Sequence, residues 1–144
     1  MKSYDPQMHT AEHILNQTIV RMFGCERSFS SHIEKKKSKC DYHFDRPLTV
    51  HEESELMSQV NQVISQNLGV KEYFLHPEEA AKQYNLSRLP DNAGDIVRIV
   101  TVGDYDACPC IGPHVGNTSE IGAFQLVSSS HENGILRIRF KLSD

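Results

Sequence analysis

The chain has 144 residues, a length that fits one domain (1–144) with a sizeable core. At 38% hydrophobic, with no Trp, no visible repeat and no low-complexity tract, its composition is globular and excludes fibrous and disordered classes. A formal net charge of −4 removes the global basic excess of many nucleic-acid binders, so charge alone neither demands nor forbids an RNA partner.

Asp5-Pro6 opens a first helix, with Asp as N-cap and Pro at the first helical position. That helix is expected to run to about Phe23 and stop at Gly24, with Ile14, Leu15, Thr18, Ile19 and Met22 as its apolar stripe. His9 and His13 lie near its start, at the edge of the stripe. Residues at i and i+4 stand one above the other on a helix face.

Residues 28–34 and 39–45 read as two strands joined by a lysine-rich tip. In the second, Cys40, Tyr42 and Phe44 alternate with Asp41, His43 and Asp45, an inner and an outer face. Thr49 and Glu52 form a capping box opening a helix to about Leu68, with Leu56, Val60, Val63 and Ile64 inward and Gly69 as terminator. A strand over 70–76 and a short helix over 77–84 follow. Asp95 to Val102 is a β-branched run expected to be a central strand, broken by Gly103.

Beyond it, Asp106, Cys108 and Cys110 alternate, so an extended backbone points them the same way. Strands over 121–130 and 135–142 form a last hairpin turning at Asn133-Gly134. Its second strand sends Leu136, Ile138, Phe140 and Leu142 inward and Arg137, Arg139 and Lys141 out. A solvated strand face is the default reading of those three cations, and RNA contact is the alternative. Helices and antiparallel strands in mixed order argue for an α+β fold, an antiparallel sheet packed against two long helices.

The chemistry is concentrated in two short segments, HTAEH at 9–13 and CIGPH at 110–114. His9, His13, Cys110 and His114 together offer three imidazoles and a thiol, a ligand set that zinc prefers. The same four residues would also serve as a His/Cys catalytic cluster. Taken singly, each motif has a bland reading: solvated histidines and a cysteine packed as a small hydrophobe. Four Cys in a chain of this length suit reduced thiols better than a disulfide framework. The N-terminal segment MKSYDPQMH has no apolar secretion core, and a cytoplasmic location is expected. No Walker sequence or GxGxxG occurs, so neither ATP nor NAD is expected, and no membrane partner is.

HTAEHIL, KCDYHFDRPLT and CIGPHVGNTSEIGAFQL, in that order, resemble the editing domain shared by alanyl- and threonyl-tRNA synthetases and its free-standing relatives. The resemblance extends over nearly the whole chain. It implies a compact α+β domain that hydrolyses the ester joining a wrong amino acid, with serine the shared error, to tRNA. Mischarged tRNA would then be the partner, and His9, His13, Cys110 and His114 the site. In the alanyl branch such residues hold zinc, while the threonyl branch uses a similar cluster that works without metal. HTAEH matches the alanyl form and CIGPH the threonyl form, so both states stay open.

The chain begins almost at the first motif, without the glycine-rich segment that precedes it in many free-standing alanyl relatives. It carries no aminoacylation segment, so the expectation is a free-standing, trans-acting relative. Where the threonyl form has an Asp two residues before its motif Cys, this chain has Cys108, with Asp106 two further back. Cys108 is an extra ligand, a replacement polar group or a packed thiol. Ser30, Ser31 and His32 are candidates for recognising a serine hydroxyl, and Lys35, Lys36, Lys37 and Lys39 for meeting tRNA phosphates. The competing reading is a catalytically inactive tRNA- or synthetase-binding module that keeps a metal site.

Overall fold

The computed structural model describes residues 5–84 and 96–143; the expected strand start at Asp95 falls outside them. Helix α1 spans Pro6–Phe23, with the Asp5 side chain accepting from the Met8 N–H and Gly24 ending it at φ 70°. Sequence capping signals therefore place both ends of the helix that carries His9 and His13. Its buried surface is wider than an apolar stripe, and every residue from Met8 to Asn16 is buried. The reason is that α1 is covered from more than one side. Its apolar residues join a core with Tyr42, Ile138 and Phe140, while its first turns meet the chain around Pro113–Val115.

Strands β1 (Ser30–His32) and β2 (Ser38–His43) are shorter than the sequence suggests. Helix α2 (Val50–Ser65) starts in the expected capping box, with Thr49 Oγ1 accepting from Glu52 N–H and the Glu52 carboxylate accepting from Thr49 N–H. It ends before Leu68. Asn67 turns left-handed (φ 56°), and the Thr118 hydroxyl takes over the Ile64 carbonyl. The stop is thus set by a tertiary hydrogen bond, and Gly69 instead bridges to Asn117.

Strand β3 (Val70–Leu75), helix α3 (Pro77–Gln83), β4 (Val97–Val102) and β5 (Asp106–Pro109) follow, then a single 3-10 turn at Thr118–Glu120. The final hairpin is β6 (Ala123–Glu132) and β7 (Ile135–Ser143). Asn133 and Gly134 both have positive φ, the type I′ turn that their sequence favours.

The fold is α+β and its described strands are antiparallel, but they form two sheets. One has the order β1-β2-β7-β6. The other is β3-β4-β5, with β4 central as expected. Alternation on β7 buries Leu136, Ile138 and Phe140 against α1 and α2. The smaller sheet has its own core of Ala80, Val97 and Ile99. Its position matters most for function, because β5 lies alongside α1 and delivers the cysteines to the histidines. No described helix is long and apolar enough to cross a membrane.

Candidate metal centre

Helix α1 supplies His9 and His13 one turn apart, and the loop after β5 supplies Cys110 and His114. One donor atom from each of the four lies within 4.8 Å of the others. Backbone contacts fix this convergence: Cys110 N–H donates to the Arg98 carbonyl of β4, and Val115 N–H donates to Thr10 Oγ1. The rings touch one another, with His9 stacked on His114 at 4.2 Å and His13 edge-on to both.

Hydrogen bonds behind the rings decide which nitrogens face the centre. His9 Nδ1 lies 3.0 Å from the Pro113 carbonyl. A carbonyl only accepts, so Nδ1 carries the proton and Nε2 keeps its lone pair. Nε2 stands 3.2 Å from Cys110 Sγ. Thr10 spends its hydroxyl proton on the Pro6 carbonyl, 2.9 Å away, so its oxygen accepts from His114 Nδ1, also at 2.9 Å. Among the described residues, His114 Nε2 is left buried with no hydrogen-bond partner. An orphaned buried lone pair is costly unless something occupies it.

His13 turns Nδ1 toward Cys108 Sγ (3.2 Å) and Asp106 Oδ2 (3.6 Å). A carboxylate or carbonyl behind an imidazole is the usual way a metal-binding histidine is oriented. Three imidazoles held from behind and a thiolate therefore fit a zinc ion, and His9, His13, Cys110 and His114 would hold it.

The shifts at Cys110 and His114 point the same way. Burial opposes ionisation of Cys110, yet the surrounding imidazoles of His114, His13 and His9 outweigh it and bring its pKa down to about 3, so a thiolate is present at neutral pH. Burial, reinforced by the neighbouring His13 and His9, lowers His114 to about 4, leaving a neutral ring. His13 is raised above the usual imidazole range: burial works against its charge, but the Cys108 sulfur and the Asp106 carboxylate outweigh it.

Asp106 and Cys108 form a second grouping with His13. Arg27 reaches into it, with Nη1 2.6 Å from Asp106 Oδ1 and Nη2 3.4 Å from Cys108 Sγ. Gln17 donates to the same Asp106 oxygen at 3.0 Å. Burial favours the neutral acid, but His13 and Arg27 hold Asp106 below the ordinary carboxylate range. A guanidinium in this position argues against a second cation and makes the group a buttress for His13.

The remaining sequence candidates are dispersed. Ser31 is half-buried and bonds Ser28 Oγ at 2.9 Å, beside the Asn16–Ser28–Tyr42 cluster. Ser30 and His32 point away from that cluster, because successive strand residues alternate and Ser31 takes the inner face. Lys35, Lys36 and Lys37 are exposed at the tip, and Lys39 is half-exposed on the outer sheet face.

Thr10, Arg27 and Glu12 did not stand out in the sequence. Thr10 and Glu12 lie inside HTAEH, where the helical spacing draws attention only to the histidines. Glu12 is 5% exposed and 4.0 Å from His9 Nε2, and among the described residues it makes no hydrogen bond.

An α+β domain built around a His₃Cys donor cluster is the class that fold and site define. Residues 97–139 match the model described as "Threonyl and Alanyl tRNA synthetase second additional domain". An alanine–tRNA ligase of Fervidobacterium nodosum is 34% identical over 132 residues, 90% of this chain and 15% of the relative. One from Coxiella burnetii is 36% identical over 124 residues, 85% of this chain and 14% of the relative. One from Aeropyrum pernix is 32% identical over 141 residues, 94% of this chain and 16% of the relative. The chain belongs to the second additional domain family of the threonyl and alanyl tRNA synthetases. It spans about 15% of the length of these curated relatives.

Proposed function

We propose that this domain hydrolyses the ester joining a wrong amino acid, serine foremost, to tRNA of the alanine or threonine system, and acts in trans. The observation that carries the reading is the convergence of His9, His13, Cys110 and His114 in a member of this family. An aminoacyl ester is already activated, so hydrolysis needs a placed water, a proton acceptor and a stabilised oxyanion. Zinc, when bound, supplies Lewis acidity and a lowered pKa for a water it holds.

The chain's own residues do the rest. Thr10 and the Pro113 carbonyl fix the His114 and His9 rings, and Asp106 with Cys108 fixes His13. Glu12 is the buried carboxylate with acceptor capacity to spare, because Asp106 is taken by Arg27. It is assigned the proton taken from the attacking water.

The test is release of serine from Ser-tRNA made on alanine and on threonine tRNA, with and without chelator. Wild-type protein releases serine and Cys110→Ala does not, while its circular dichroism stays native. No release from either tRNA under any condition overturns the reading. A second reading, a tRNA-binding module with a structural metal, is favoured by the donor count. Four protein ligands close a tetrahedral zinc shell and leave no open position. That reading expects tRNA binding without serine release, and unfolding on chelation.

A further inference from the structure

The outer face of the four-stranded sheet carries a charge pattern that the metal centre does not use. On the paired strands β2 and β7, Asp41 stands opposite Arg137, and Lys39 stands opposite Arg139. The first pair is a bidentate ion pair, with Arg137 Nε and Nη2 at 2.7 and 2.9 Å from the two Asp41 oxygens. Two residues along, the same strands set two cations directly across from each other. Like charges in that position destabilise a strand pair.

Asp41 offsets them only through space. Among the described residues no acidic side chain forms an ion pair with Lys39 or Arg139, and Asp41 is already engaged by Arg137. Arg139 Nη1 reaches only hydroxyls, Ser128 Oγ at 3.2 Å and Ser130 Oγ at 3.4 Å. His32 extends the row onto β1, opposite Lys39. The row therefore runs His32, Lys39, Arg139, Ser128 across four strands, roughly 14 Å at the usual strand spacing. Beside it lies a shallow basin of about 360 Å³ lined by His32, Glu34, Lys37, Ser38, Lys39 and Arg139. Its one acid, Glu34, pairs with His32 at 3.2 Å. In a chain of net charge −4, this is a concentration of cations and not a general surplus.

We infer that this sheet face docks the phosphate backbone of an RNA, a conclusion that rests on a tRNA being the substrate. A phosphate between Lys39 and Arg139 turns a repulsive pair into two charge-assisted contacts, and the Ser128 and Ser130 hydroxyls are ordinary backbone-contact groups. The row ends on β1, the edge strand. On the inner side of that strand, Ser31 bonds Ser28, whose N–H donates to Asn16 of α1, one turn beyond His13. An RNA strand lying on the outer face leaves the sheet at the edge that abuts the donor cluster's helix.

The experiment measures binding of uncharged alanine-tRNA transcript by fluorescence anisotropy across a salt series. It uses the full chain, Lys39→Gln, Arg139→Gln and the double variant, with Lys71→Gln on β3 as control. Each single change lowers affinity several-fold and reduces the log K against log salt slope by about 0.7–0.9. The double variant loses about twice that slope while its melting temperature holds or rises, since a repulsion has been removed; a merely structural pair would lower it. Double-variant binding equal to wild type overturns the inference. So does variant-sensitive binding to anionic phospholipid vesicles without variant-sensitive tRNA binding, which would make the face a lipid surface. Because no ester is present, the outcomes separate: variant-sensitive tRNA binding without serine release leaves the docking face standing and sinks the hydrolase. Serine release with variant-insensitive binding does the reverse.

Discussion

Thr10 Oγ1 and His114 Nδ1 lie 2.9 Å apart although 104 residues separate them in the chain. Because the Thr10 proton goes to Pro6, the contact fixes His114 in the tautomer whose Nε2 lone pair faces the other donors. Thr10→Val keeps the shape and removes the acceptor. Zinc affinity is expected to fall about 10–100-fold. The unsatisfied Val115 N–H adds a stability loss of about 1–3 kcal/mol. Thr10→Ser stays near wild type on both measures. Competition with a chromophoric chelator reads the first, and thermal melting the second.

Glu12→Gln tests the proton acceptor. The amide is isosteric and neutral, so the helix and the four donors stay in place. Turnover of seryl-tRNA is expected to fall about 10²-fold or more. Metal content by elemental analysis stays at the wild-type level. A variant that keeps its turnover returns Glu12 to a structural role beside His9.

Local signals in the sequence carried much of the α1 half of the site. Asp5-Pro6 and Gly24 bracket the helix, and its period sets His9 over His13. Cys110 and His114 stood out only as a motif, because nothing local says that the loop after β5 returns to α1. That return depends on β4 pairing with both β3 and β5, a choice between strand partners that hydrophobic pattern leaves open. The same non-local choice divides the strands into two sheets. Arg27 was invisible for a related reason. It sits in a connection between α1 and β1, and its partner Asp106 lies 79 residues away. Ser30 and His32 show the opposite case, where a short polar strand gives no apolar alternation to tell its faces apart.

Acid sensitivity follows from the outer sheet face. The hydrogen bonds from Arg137, opposed by partial burial and aided by its charge, hold Asp41 below the ordinary carboxylate range. A depressed folded pKa means the contribution is complete above the unfolded value, about 3.9, and is lost as pH falls through the lower folded value. The Arg137 side chain is more than a third exposed, and solvent screening holds the contribution under about 1 kcal/mol. Arg137→Gln should lower the neutral plateau of a stability curve measured by urea unfolding by that amount and flatten its acid limb, the two curves converging at low pH. An unaltered acid limb would remove Asp41 from the account.

Cys110 and Cys25 should react with opposite pH dependence in metal-free protein. The thiol of Cys25 is pushed up chiefly by burial, so its thiolate fraction rises about tenfold per pH unit through the neutral range. Cys110, held near 3 by three imidazoles against its burial, is fully thiolate from pH 5 upward. Iodoacetamide labelling followed by peptide mapping should therefore give a flat rate for Cys110 between pH 5 and 8, about the range where imidazole and thiol ordinarily titrate. Cys25 should give a steep one. His9→Ala removes one of the imidazoles around the thiolate and should restore a slope at Cys110. Zinc added before the reagent should slow the reaction of Cys110 and spare that of Cys25, since a sulfur that shares its charge with a metal is a weaker nucleophile. A Cys110 rate that climbs with pH like that of Cys25 would mean the imidazoles do not hold its charge, and the donor set would lose the anion on which its affinity for a cation depends.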